Sequence, residues 1–183
     1  YEIELNLTRR DGSNGWMWAR GEAVLDKDGK IVGLSGAIQD ITERKMAEEK
    51  LRENESRFRA FVEQAPIAIG VWNLDGTCLY ANNKYLELLG LQSFEELIGR
   101  PAVELFAPQF REESKVRTQH RLQGLPVPAE YESIALRADG SQFPIHLAIA
   151  PIRLAGGTKS ISFMTDLTER KRAEEQVHEA TER

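Results

Sequence analysis

The sequence predicts an α+β fold: a five-stranded antiparallel sheet with short helices on one face, flanked by helices carrying a coiled-coil-like seam. Three observations predict it. Residues 66–168 run strand, strand, several short helices and then three strands. A ten-residue segment recurs, Asp40-Ile41-Thr42-Glu43-Arg44-Lys45-Met46-Ala47-Glu48-Glu49 returning from Asp166 to Glu175 at an offset of 126 residues with eight positions identical. In both copies the strand period gives way to a helical one directly after Asp-x-Thr.

Each element has its own reason. Tyr1, Ile3, Leu5 and Leu7 alternate with polar residues, the mark of a half-buried strand, and Asp11-Gly12 and Asp28-Gly29 are turn dipeptides. Ile67 to Leu74 reads as a strand, Asp75-Gly76 as a hairpin turn and Thr77 to Ala81 as the partner strand. Asn83 to Leu89 is a short helix closed by Gly90. Ser93-Phe94-Glu95-Glu96 is a capping box, and Gln109 to Gln123 is a polar helix closed by Gly124. Ala129 to Arg137, Gln142 to Leu154 and Thr158 to Leu167 complete the sheet, with Phe143, Ile145, Leu147 and Ile149 on one face of the middle strand. Thr42 and Thr168 suit the N-cap position of the helices that follow, with Glu43 and Glu169 in the first turns. Ala47, Leu51, Phe58 and Phe61 fall on the a and d positions of one heptad register, a seam for pairing with a second helix.

The 183 residues hold 24 Lys and Arg against 29 Asp and Glu, a net charge of −5, and 41% are hydrophobic. This mild acidity argues against nucleic acid as a partner. The single cysteine, Cys78, excludes a disulfide framework and a multi-cysteine metal site. The longest apolar run, Ala65 to Trp72, contains Pro66 and is too short to cross a bilayer. The chain opens at Tyr1 within a strand pattern and reads as an internal piece of a longer protein. Lys115, Arg117 and Arg121 are offset by Glu112 and Glu113 and read as a charged outer face. No phosphate loop, HExxH or nucleophile elbow is present, so the segment reads as non-enzymatic.

Asn73-Leu74-Asp75-Gly76 with Tyr80-Ala81-Asn82, then Leu88-Leu89-Gly90, Ile98-Gly99-Arg100, Arg137-Ala138-Asp139-Gly140-Ser141 and Asp166-Leu167-Thr168-Glu169-Arg170-Lys171 resemble a PAS domain with its C-terminal PAC segment. Residues 9–13, Arg9-Arg10-Asp11-Gly12-Ser13, match the PAC turn a second time. The resemblance implies four parts: a PAC remnant of a truncated preceding domain over 1–41, a helical linker over 42–65, a complete PAS domain over 66–168, and the start of an output helix over 169–183. It implies a cytoplasmic sensory and dimerising module, a homodimer, upstream of a histidine kinase or diguanylate cyclase output domain in the same chain. The rival reading is a ligand-free dimerisation scaffold.

The resemblance also orders the cofactor options. Light-sensing members carry a flavin-bonding cysteine where this chain has Ala102 and a Gln where it has Met164, so that photochemistry is excluded. Haem-binding members carry an axial His where Glu113 stands and an Arg where Tyr131 stands, which argues against haem; a noncovalent flavin or a small metabolite remains. The implied pocket lining is Ile69, Val71, Leu79, Tyr131, Ser133, Leu147, Ile149, Ser160, Ser162 and Met164, and the competing reading fills that space with core side chains. The implied relay is Asp40 with Thr42 and Asp166 with Thr168, through which the final edge of the sheet pulls on a helix. Val177-His178-Glu179 superficially resembles a phospho-accepting pair but lacks the residues that follow it in kinase helices, and reads as a solvated helix turn.

Overall fold

The computed structural model describes residues 1–181; the last two residues of the expected output helix, Glu182 and Arg183, lie outside the described residues. The chain divides into two compact units, Tyr1–Arg59 and the portion from Ala60 onward.

The first unit is a three-stranded antiparallel sheet, β1 (Glu2–Thr8), β2 (Asn14–Leu25) and β3 (Ile31–Asp40), in spatial order β1-β2-β3. It leads into the helix α1 (Thr42–Glu63). Glu4 of β1 meets Arg44 and Lys45 of the first helical turn, each at 2.6 Å, and Lys45 Nζ lies 5.3 Å from the centre of the Trp16 ring. The start of α1 is therefore pinned to its own sheet by charge as well as by the buried Ile41. Leu51, Phe58 and Phe61 of the predicted seam are 60–70% exposed, and Ala47 is exposed too.

The second unit contains β4 (Ala68–Trp72), β5 (Cys78–Ala81), α2 (Asn83–Leu89), three short 3₁₀ turns, α3 (Arg111–Leu122), β6 (Glu130–Leu136), β7 (Gln142–Leu154), β8 (Gly157–Asp166) and α4 (Thr168–Thr181). Its five strands form one antiparallel sheet in the order β5-β4-β8-β7-β6. The strand expected to be the final edge is thus the central one, because β8 pairs with β4 on one side and β7 on the other. One face of the sheet packs against the helical segment. Trp72, Phe143, Ile145, Leu147 and Met164 from strands meet Tyr85, Leu89, Leu97, Leu105 and Phe106 from the helices and turns. Burying these side chains is the main stabilising term of the unit.

Asn82 ties this unit together. Fully buried before α2, it accepts hydrogen bonds at Oδ1 from the Ile69 and Tyr85 N–H groups, at 2.9 and 3.1 Å. Its Nδ2 donates to the Val62 and Ile67 carbonyls at 2.8 and 3.0 Å. One amide therefore caps α2, fixes the start of β4 and holds the last turn of α1, with all four of its hydrogen-bonding positions used. Glu63 adds to this corner by accepting from the Tyr80 hydroxyl at 2.6 Å and the Asn83 N–H at 3.0 Å. At the other end of α2, Gly90 takes φ +69°, a left-handed conformation that closes the helix by donating back to Leu86 and Glu87 carbonyls.

Candidate functional site

Between the sheet and the helices lies a cavity of about 60 Å³. Its wall on the sheet side follows from register. Cross-strand partners share a face, so Ala68, Met164, Leu147 and Tyr131 form one inward row, and Gly70, Ser162 and Ile149 the next. Six of the expected lining residues border the cavity: Tyr131, Leu147, Ile149, Ser160, Ser162 and Met164.

Four do not, and each has a reason. Ile69 and Val71 pair with Phe163 and Ile161 on the opposite face, because Ala68, Gly70 and Trp72 are the inward set of β4. Leu79 is 43% exposed; the β4–β5 register shifts between Val71 and Trp72, which leaves it opposite no partner. Ser133 is buried on the inward face between Tyr131 and Ala135, but stands off the cavity.

Small inward residues on β4 make room for large aromatic ones. Trp72 Nε1 donates to Ser162 Oγ at 2.9 Å, and the Trp72 and Tyr85 rings lie 5.9 Å apart at a tilted angle. A Cβ on Gly70 would fall 2.6 Å from Trp72 Nε1 and 3.0 Å from Ser162 Oγ. Gly70→Ala is accordingly expected to displace the indole, break its bond to Ser162 and cost about 1–3 kcal/mol. A urea midpoint equal to that of the native chain would contradict this packing.

The helical wall includes Ser114, Thr118 and Arg121 of α3. Their spacing places them on one helix face. Arg121, expected on a charged outer face, instead borders the cavity, while Lys115 pairs with Glu112 and Arg117 with Glu113 as the charge pattern implied. Arg117 also lies 3.8 Å above the Tyr131 ring. The serine–threonine–arginine spacing was the available signal for an inward face.

The lining tests the cofactors of related folds. Glu113 and His120 both stand off the cavity, so among the described residues no imidazole borders it to ligate a haem iron. The volume is far below the roughly 300–1,000 Å³ of pockets for drug-sized ligands, which does not fit a flavin ring system either. Cys78 packs beside the core, and burial pushes its thiol up to about 11, the inert setting of a structural cysteine.

The central strand that lines the cavity ends at the Asp-x-Thr junction. Asp166 Oδ1 accepts from the Thr168 N–H at 2.8 Å and from its hydroxyl at 2.5 Å, while Oδ2 accepts from Arg137 Nη2 at 2.9 Å. Arg137 also donates to the Leu88 carbonyl and lies 3.7 Å above the Phe143 ring. One guanidinium thus joins α2, β7 and the start of α4. The Thr168 hydroxyl, expected to accept from the helix, donates to Asp166, and the aspartate holds the helix start by accepting from the N–H two residues on.

The first unit repeats the device. Arg9 Nη2 donates to Asp40 Oδ2 at 2.6 Å and to Thr42 Oγ1 at 3.0 Å, and Asp40 Oδ1 accepts from the Thr42 N–H at 2.9 Å. Arg9 and Arg137 open the two echoed Arg-x-Asp-Gly-Ser turns, whose reading as turns alone missed this role.

These bonds set the acidity of both aspartates. The Thr42 hydroxyl and N–H, with Arg9, hold Asp40 down at about 2. Partial burial pushes Asp166 up, but the Thr168 bonds and Arg137 together hold it below the usual carboxylate range. A depressed folded-state value means that the contribution to stability is complete above the unfolded value, about 3.9, and is lost as pH falls through the folded one. Carbon-detected NMR titration should therefore give a midpoint near 2 for Asp40 and a lowered one for Asp166. Ordinary midpoints for both would contradict the junction geometry.

A family model described as the PAS fold matches residues 56–167, and a second, described as a PAS domain, matches residues 1–43. The chain is 34% identical over 133 residues to the C4-dicarboxylate transport sensor protein DctS of Rhodobacter capsulatus, covering 71% of this chain and 20% of that protein. It is 24% identical over 181 residues to the sensor protein FixL of Bradyrhizobium diazoefficiens, covering 98% of this chain and 36% of that one. The chain therefore spans about a fifth to a third of the length of these relatives. Among solved structures, the PAS domain of an HTR-like protein from Haloarcula marismortui superposes with a TM-score of 0.57 at 27% identity, covering 67% of this chain and 98% of that one.

Proposed function

The chain belongs to the PAS family, and from that premise we propose that it is the sensory input module of a longer signalling protein with a histidine kinase output. A change in the cavity is relayed through β8 to the Arg137–Asp166–Thr168 junction and into α4. The observation that carries this reading is the continuity of β8. Ser160, Ser162 and Met164 border the cavity, and Asp166, two residues on, anchors the first turn of α4. A shift of the strand by a fraction of an ångström alters three charge-assisted hydrogen bonds at once, and an interaction of that kind is geometrically demanding. The names of DctS and FixL, both sensor proteins, support the sensory part of the reading. The exposed stripe of Leu51, Phe58 and Phe61 supports pairing of two copies along α1, which supplies the helix pair whose rotation or register an output domain reads.

No helix among the described residues is long and apolar enough to cross a membrane. None of them forms a cluster of three or more His, Cys, Asp or Glu that could hold a metal ion. The test is autophosphorylation of the full-length protein. Asp166→Ala and Arg137→Met should each shift basal output at least threefold and in the same direction, while Glu112→Gln on the outer face of α3 leaves it unchanged. Native output in both junction variants would sink the relay.

A further inference from the structure

Among the described residues, Arg121 is the one charged side chain bordering the cavity, and no carboxylate borders it. Its Nη2 is completely buried and has no hydrogen-bond partner among the described residues. A buried guanidinium N–H without an acceptor is costly, so the position calls for a partner that the protein does not itself supply. The cations nearest in sequence are satisfied: Lys115 meets Glu112 and Arg117 meets Glu113, each at 2.5 Å. The rest of the cavity sorts the candidate partners. Leu147, Ile149 and Met164 make an apolar wall, and Ser160 and Thr118 add neutral hydroxyls. A cationic ligand would be repelled, and a second negative charge would find no second cation. Counting about 10–15 Å³ of such space for each water-sized group, 60 Å³ holds about four to six heavy atoms.

From the buried, unpartnered Nη2 of this half-buried cation, the apolar wall and the size together we infer that the cavity binds a short aliphatic monocarboxylate. Its carboxylate pairs with the Arg121 guanidinium and its alkyl end lies against the Leu147–Ile149–Met164 wall. Guanidinium and carboxylate match as a planar fork, which gives the site its preference for carboxylate over neutral isosteres. The inference rests on the sensory reading only in taking this cavity as the ligand site.

The test titrates sodium propionate into the 183-residue chain at constant ionic strength, with propionamide as the neutral isostere of equal size. Calorimetry should give saturable binding of propionate at least tenfold tighter than that of propionamide, and the Arg121 Nε–H resonance should move to saturation with it. Arg121→Met should weaken propionate at least tenfold while the ligand-free urea midpoint stays the same or rises, since the buried Nη2 has no hydrogen-bond partner among the described residues to lose. If that variant does not fold, the Nε–H resonance of the native chain carries the test.

Equal binding of propionamide, undiminished binding by Arg121→Met, an unmoved resonance at saturation, or no saturable binding of acetate, propionate or butyrate would each overturn the inference. The two readings fail separately. No carboxylate binding together with altered output in Asp166→Ala removes the ligand class and keeps the sensor. Tight propionate binding with native output in the junction variants removes the relay and keeps the site.

Discussion

Asn82→Ala is expected to lower the stability of the second unit by about 3–4 kcal/mol, the largest effect of any single polar substitution considered. The amide makes four hydrogen bonds, all from a fully buried position. A typical bond contributes about 1 kcal/mol net, and each partner left buried without a replacement adds desolvation cost. Two N–H groups and two carbonyls lose this partner at once, of which the Tyr85 N–H keeps the residue-82 carbonyl and the Val62 carbonyl keeps the Ala65 N–H. Asn82→Asp separates the donor and acceptor halves of this account. It retains the acceptor oxygen for Ile69 and Tyr85, but sets a carboxylate against the Val62 and Ile67 carbonyls. At pH 7 it should therefore be at least as damaging as alanine, and it should recover part of its stability where the carboxyl protonates. Urea unfolding followed by Trp72 emission, with Trp16 and Trp18 replaced by Phe, reads the effect on this unit. A loss below about 1 kcal/mol for the alanine variant would mean that water replaces the amide at little cost.

Asp166→Ala is expected to cost about 2–3 kcal/mol. The carboxylate loses three charge-assisted bonds, and the half-buried Arg137 is left with the Leu88 carbonyl and the Phe143 ring but without its hydrogen-bonded carboxylate. Breaking one side of a partly desolvated pair costs more than the pair contributes, because the remaining charge is stranded. A double-mutant cycle with Arg137→Met should give a coupling of about 1–2 kcal/mol between the two side chains. Asp166→Asn retains an acceptor for the Thr168 N–H and should fall between the native and alanine chains. Additive losses in the cycle would show that the ion pair carries no free energy and that the junction is held by the Asp166–Thr168 bonds.

How legible the molecule is in its sequence depends on what each residue pattern encodes. The order of strands and helices was readable because Asp-Gly turns, a glycine-closed short helix and clear alternation in Phe143 to Ile149 all point the same way. The facing of β4 was not. Both of its alternating sets are apolar, Ile67, Ile69 and Val71 against Ala68, Gly70 and Trp72, so the period identifies a strand without choosing its inner face. The bulkier β-branched set looked like core; the inward face instead takes Ala68, Gly70 and Trp72, because Trp72 and Tyr85 fill the space above the small residues.

Charged residues misled in a related way. Arg137 reads only as the opening of an Arg-x-Asp-Gly-Ser turn, yet it reaches Asp166, 29 residues away, and only tertiary structure brings the two together. Arg121 had carboxylates nearby in sequence that pair with its neighbours, and one-dimensional charge balance assigned it to the same outer face. The position of β8 was also hidden. Nothing in a strand's own sequence separates a central from an edge position when both faces carry small and apolar residues.

The central claim is that the cavity and the start of α4 are coupled through β8. Filling the cavity by Ala135→Val, on the buried wall contributed by β6, imitates occupancy without requiring any ligand. Amide hydrogen exchange through residues 160–173 is then compared with that of the native chain. The account predicts an exchange rate altered at least tenfold at the amides of Thr168 to Lys171, with β1–β3 of the first unit unchanged. Identical exchange at those amides, in a variant shown to be folded and to have a smaller cavity, would contradict it.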